Sequence, residues 1–136
     1  MANQYYHIAL QTLKKLELID DLNSKVILNC WKVVLNVNNK KYFKGCPKNA
    51  FTSLVLNDHI KFENRKNIDI GTDSVEYRYC KEALNILMNN AHSSFEPLEL
   101  WKRVLCNLNM TRLHQGEMDV VIALWENKKI KLVNSK

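Results

Sequence analysis

Gly45-Cys46-Pro47-Lys48-Asn49-Ala50-Phe51-Thr52-Ser53-Leu54-Val55-Leu56-Asn57-Asp58-His59-Ile60-Lys61-Phe62 follows one local plan from end to end. Gly45 allows the turn that starts a helix, and Pro47 suits a first helical turn because the N–H it lacks would have no partner there. Ala50, Phe51, Leu54 and Val55 fall on one helical face, Asn57-Asp58 then favours a turn, and Ile60-Lys61-Phe62 alternates like a short strand. About seventy positions on, Gly116-Glu117-Met118-Asp119-Val120-Val121-Ile122-Ala123-Leu124-Trp125-Glu126-Asn127-Lys128-Lys129-Ile130-Lys131-Leu132-Val133 repeats the plan. Leu54, Asn57, Ile60 and Lys61 recur as Leu124, Asn127, Ile130 and Lys131.

The same offset carries Trp31-Lys32 and Val34-Leu35 onto Trp101-Lys102 and Val104-Leu105, and Ala9-Leu10 with Leu13 resembles Ala83-Leu84 with Leu87 after a four-residue gap. The expected fold is therefore mainly α, with about six helices in two helix-helix-helix-strand units related by a pseudo-twofold axis. The units span about 4–62 and 74–133, with a polar connector at 63–73. The strands near Ile60 and Ile130 are expected to be the only β structure and to meet as a small antiparallel ribbon. Either unit alone would be marginal, so one domain with a shared core over 1–136 is expected.

Helix positions follow from spacing and caps. The first helix is expected from Gln4 to Asp20, with Ala9, Leu13 and Leu16 inward. Ser24 is the expected N-cap of a second helix carrying Ile27, Cys30, Trp31 and Val34. Asp73 and Glu76 have the spacing of a capping box before Tyr79, Cys80, Ala83, Leu84, Leu87 and Met88. Ser94, Glu96 and Pro97 open a helix with Leu98, Trp101, Leu105 and Leu108 on one side.

Composition narrows the function classes. The 136 residues are 46% hydrophobic with a net charge of +6, and no apolar run is long enough to span a bilayer. The N-terminus lacks the order of a secretory signal, so a cytoplasmic protein with no membrane association is expected. Cys30, Cys46, Cys80 and Cys106 are widely separated, which suits a reducing compartment. His7, His59, His92 and His114 have no metal-ligand spacing among themselves or with the cysteines, and three glycines leave no room for a phosphate-binding loop. Neither metal nor cofactor is expected. No nucleophile–base pair stands out, so a non-enzymatic role is expected.

Two local features could bear on function. Cys46, at a helix start between Lys44 and Lys48, is a candidate reactive thiol, because a helix dipole and nearby cations favour thiolate. Lys40, Lys41, Lys44 and Lys48, with Arg112 and His114 at the corresponding place in the second unit, are candidate contacts for an anion or a nucleic acid. Helix-helix-helix-strand units also have the outline of tandem helix-turn-helix elements. Against this, only four of the twenty Lys and Arg residues are Arg, the side chain that binds phosphate and bases bidentately. The favoured expectation is a binding or regulatory module acting through a protein partner, as a monomer or homodimer. Its small size and Asn- and Lys-rich, AT-biased composition fit a phage or mobile-element inhibitor of a host system.

Gly45-Cys46-Pro47-Lys48-Asn49-Ala50-Phe51 and Met118-Asp119-Val120-Val121-Ile122-Ala123-Leu124-Trp125 resemble the signature stretches of an uncharacterised family of small bacterial or phage proteins, a domain of unknown function. The similarity takes in most of the chain, including the Trp helix and the Ala-Leu helix. It implies a shared fold and a bacterial or phage origin, and it carries no catalytic residue across.

Overall fold

The structure, a computed structural model, describes residues 4–38, 45–68, 74–90, 94–114 and 116–131. Six helices appear in the expected order: α1 Gln4–Leu16, α2 Ser24–Val37, α3 Gly45–Leu56, α4 Val75–Asn89, α5 Pro97–Leu108 and α6 Glu117–Glu126. In α1 the buried side chains Tyr5, Ile8, Ala9, Thr12, Leu13 and Leu16 recur every three or four residues, the stripe of a helix with one face on a core. This helix stops at Leu16, short of the expected Asp20. Leu18 and Ile19 donate to Lys15 and Leu16 three residues back, so the end tightens into a 3₁₀ turn.

The cap of α2 corrects the sequence reading. Asn23 rather than Ser24 caps α2, its Oδ1 accepting from the Val26 N–H at 2.9 Å. Ser74 caps α4, its Oγ accepting from the Tyr77 N–H at 3.1 Å; the expected Asp73 lies outside the described residues. Each capping side chain, Asn23 and Ser74, sits in extended backbone just before the first helical turn, where its oxygen reaches the N–H three residues on.

Buried side chains from all six helices form one cluster. Packing partners repeat between the halves: α1 lies on α2 as α4 lies on α5, α2 on α3 as α5 on α6, and α1 on α6 as α4 on α3. At the centre α3 lies on α6, and the contact of α4 with α6 has no equal counterpart between α1 and α3. Trp31 and Trp101 are both core residues, on α2 and α5. Trp31 packs on Phe51 with ring centres 5.4 Å apart, and Trp101 packs edge-on to Tyr79 at 5.0 Å.

The ends of α3 and α6 are alike in detail. Asp58 and Lys128 take left-handed φ values of 63° and 59°. The next residues, His59 and Lys129, donate N–H to Leu54 and Leu124 five residues back, at 2.9 and 2.8 Å. This is the Schellman closure of a helix C-terminus. Asn57 and Asn127 each return a side-chain N–H to the carbonyl four residues earlier, Ser53 and Ala123, at 2.8 Å. Both chains then enter the expected antiparallel contact: Ile60 faces Ile130, Lys61 N–H donates to Lys129 C=O at 2.7 Å, and Lys131 N–H donates to His59 C=O at 2.9 Å. The seventy-residue shift maps this pair of bonds onto itself.

This ribbon is not the only β structure, contrary to expectation. Asp21–Leu22 (β1) and Asn67–Ile68 (β2) pair in parallel. The connector between the halves is strapped to the end of α1, where the Lys66 Nζ donates to the Glu17 carbonyl at 2.7 Å and the Asn67 N–H to the Asp20 carbonyl at 2.8 Å. Two-residue strands have too few positions to show alternation, so no sequence pattern announces them.

Candidate functional site

The starts of α3 and α6 meet. Gly116, at φ 108°, caps α6, and a Cβ on it would lie 2.6 Å from Tyr5 Cδ2 and 2.9 Å from Pro47 Cγ, so the two helix entrances and α1 touch at this glycine. Since Gly116 offers no capping oxygen, His114 takes that role: its Nε2 accepts from the Met118 N–H at 3.0 Å. The accepting nitrogen carries no proton, which places the ring proton on Nδ1. The His114 ring lies 5.3 Å from that of Trp101, whose Nε1 donates to the Arg112 carbonyl at 3.0 Å. The Arg112 guanidinium stands 5.9 Å from the centre of the Tyr79 ring.

The candidate thiol Cys46 and the expected contact residues Arg112 and His114 are thus gathered around one place, and Lys48 is half-buried on the first turn of α3. Lys40, Lys41 and Lys44 lie outside the described residues. Among the described residues, this place sets the carboxylates of Glu76 and Glu117 beside the Arg112 guanidinium. Burial chiefly, and then the carboxylates of Glu117 and Glu76, push the Cys46 thiol up, with Arg112 opposing. That is the reverse of the direction expected from Lys44 and Lys48: Glu76 comes from another helix start and Glu117 from the other half of the chain. His114 is engaged as a helix cap. Among the described residues no group of three or more His, Cys, Asp or Glu could hold a metal ion.

A second feature had no place in the sequence reading. A half-open groove of about 880 Å³ runs beside the Ile60–Ile130 ribbon. Leu87 of α4, Phe95, Ile122 and Trp125 of α6, and Ile130 form its apolar surface. Lys61, Lys128 and Lys131, with Ser94 and Glu126, edge it. Glu126 already accepts from the Tyr6 hydroxyl at 2.9 Å, and the Lys131 ammonium pairs with Asp58 at 2.6 Å. Lys61 and Lys128 have no carboxylate partner among the described residues. One signal in the sequence marks this place: Trp125 stands where the first unit has Val55, a fully buried residue, and the larger ring is only partly covered.

The family model described as a family of unknown function, DUF6979, matches residues 2–131. The chain belongs to this family. The match spans both halves and so includes the helix starts and the groove alike. No curated protein and no solved structure matches the chain. Among the described residues no helix is long and apolar enough to cross a membrane.

Proposed function

We propose that this protein is a non-catalytic binding or regulatory module that holds a protein partner in the groove beside the ribbon. The observation carrying this reading is the combination of an apolar floor, with Phe95, Ile122 and Trp125, and a rim bearing two lysines that have no carboxylate partner among the described residues. A volume of this size would also suit a small molecule, but such ligands are generally held by a few fixed polar groups converging in an enclosed pocket. Here the groove is half-open and its polar rim is chiefly long lysine side chains, an arrangement that suits a chain segment lying across the surface. A partly covered tryptophan in an apolar patch, as Trp125 is here, is a usual anchor of a protein interface.

Inhibition of a host system by a phage or mobile-element protein is one role such a module serves, by covering a surface that another macromolecule needs. Nucleic-acid binding is the competing reading. It depends on Lys40, Lys41, Lys44, Lys48, Arg112 and His114, and of the described three Lys48 is half-buried, Arg112 lies over Tyr79 and His114 caps α6.

Affinity capture from a lysate of the source cells, with wild-type protein and the variants Trp125→Glu and Arg112→Glu as baits, tests the choice. A partner retained by wild-type and Arg112→Glu but lost by Trp125→Glu supports the groove. Salt-sensitive DNA or RNA binding in a gel shift, abolished when Lys40, Lys41 and Lys44 become Glu and unaffected by Trp125→Glu, overturns it.

A further inference from the structure

In the first half the chain leaves the ribbon at Lys61 as the connector, passes the end of α1 and reaches Asp21–Leu22. The Glu63 N–H donates to the Glu17 carboxylate at 3.3 Å, the Lys66 Nζ to the Glu17 carbonyl at 2.7 Å, and the Asn67 side-chain N–H to Asp21 Oδ1 at 2.8 Å. Phe62 and Ile68, at the two ends of this stretch, pack against the core. The connector therefore lies on the body of the protein with an apolar side chain at each end and polar bonds between.

The groove follows the matching path in the second half, from Ile130 past Leu87 of α4 to Ser94 and Phe95. Leu87 matches Leu13, and Trp125 and Ile130 match Val55 and Ile60. Phe95 stands immediately before the cap Glu96 as Leu22 stands immediately before the cap Asn23.

The two paths differ in charge. Glu17, Asp20 and Asp21 lie along the first, and the connector brings Arg65 and Lys66 to it. Along the second, Ser94 holds the place of Asp21, and Lys128 that of Asp58, each of the latter two in the left-handed turn after its helix. On the groove's rim Lys131 is paired with Asp58 and Glu126 with Tyr6, which leaves Lys61 and Lys128 without a carboxylate. The residues after Lys131, Leu132-Val133-Asn134-Ser135-Lys136, bring a lysine and no acid. An acidic side of the path has become a basic one, so its complement is a segment with acids where the connector has Arg65 and Lys66.

Resting on the reading of the groove as a partner site, we propose that its occupant is an acidic, non-helical segment of a partner protein that lies along the groove as the connector lies along the end of α1. One apolar side chain seats by Ile130 and Trp125, a second by Phe95, and the carboxylates between them meet Lys61 and Lys128.

The test follows the Trp125 indole in ¹H–¹⁵N spectra of the full chain as capped synthetic peptides are added, with the core residues Trp31 and Trp101 as internal references. The first peptide, Phe-Glu-Asn-Glu-Glu-Asn-Ile, is the connector sequence of residues 62–68 with its two cations made acidic. The second is the connector sequence itself, Phe-Glu-Asn-Arg-Lys-Asn-Ile. The third, Ser-Glu-Asn-Glu-Glu-Asn-Ser, keeps the acids and loses the apolar ends. The first is expected to shift the Trp125 indole and to bind about tenfold or more tightly than either of the others at low salt. Its advantage over the second shrinks as salt rises, and Lys61→Glu with Lys128→Glu reverses the preference between the two.

A Trp125 indole unmoved by the first peptide overturns the proposal; loss or retention of a lysate partner by Trp125→Glu then decides separately whether the groove holds a partner at all. Equal binding of the first and second peptides also overturns it, because apolar contact alone would then fill the groove. If removing residues 132–136 shifts the indole and the first peptide binds neither form, the occupant is the chain's own end. If the indole shifts with protein concentration before any peptide is added, the occupant is a second copy, and the proposal falls in that case too.

Discussion

Asp119 sits at the third position of α6 and is 3% exposed, although a helix start is a place where acids normally face water. Two effects compete on its carboxylate. The helix dipole favours the ionised form by about 0.3–1 kcal/mol. Burial, reinforced by the nearby charge of Glu117, disfavours it and raises the pKa from 3.8 to about 6. Burial therefore wins. The shift of about two units corresponds to about 3 kcal/mol at 1.36 kcal/mol per unit. Between the two pKa values the folded state binds more protons than the unfolded one, so stability falls as pH rises. The contribution is fully retained below 3.8 and is lost as pH climbs through about 6.

Asp119→Asn removes the titration while keeping the shape. Urea unfolding of both proteins from about pH 4 to about pH 8 should show little difference at the acid end and a variant more stable by about 2–3 kcal/mol at the alkaline end. Taking the difference between the two proteins cancels the other carboxylates. A difference independent of pH would refute the reasoning, and so would a variant less stable than wild-type at neutral pH, because the ionised carboxylate would then have a partner that repays its burial.

Gly116→Ala should destabilise the fold by about 2–4 kcal/mol, because it adds a Cβ 2.6 Å from Tyr5 and asks an L-residue to hold a φ of 108°; thermal unfolding measures it, and a change below about 0.5 kcal/mol would mean that the helix entrances do not touch. His114→Ala should cost about 1 kcal/mol by leaving the Met118 N–H without its acceptor, with His114→Asn recovering part of the loss if the amide reaches the same atom. Cys46 should react with a neutral thiol reagent more slowly at neutral pH than an unperturbed cysteine, with an apparent pKa above the ordinary 9.0, because burial and the Glu117 and Glu76 carboxylates disfavour thiolate; Cys106, the exposed cysteine, serves as the internal comparison, and a Cys46 faster than Cys106 would reverse the assignment.

The six helices were legible because each rests on signals a few residues apart. The apolar stripe of α1, the Pro97 start of α5 and the matched Asn57 and Asn127 ends of α3 and α6 are all local. The Ile60–Ile130 contact was legible for another reason: the seventy-residue echo implies that like elements can meet like. Less could be read of the site. Cys46 looked cationic because its sequence neighbours are lysines, yet the charges acting on it include Glu76 and Glu117, thirty and seventy-one positions away. Arg112 and His114 were read as candidate anion contacts from their place before a helix start; that Arg112 lies over Tyr79 while still exposed, and that His114 caps α6, depends on residues the local sequence does not show.

Periodicity, capping and turn chemistry thus determined by themselves that the chain is mainly helical and in what order its six helices come, since these depend on interactions within a turn or two of backbone. Only the tertiary structure decided which helix became central. Every residue of α6 from Glu117 to Leu124 is buried, two acids included, because α6 is covered by α1, α3, α4 and α5 at once. Only tertiary structure, too, set Leu87, Phe95, Trp125 and Ile130 around one groove. Whether an apolar side chain ends in the core or on a docking surface depends on which distant segment arrives to cover it, and no short-range pattern records that.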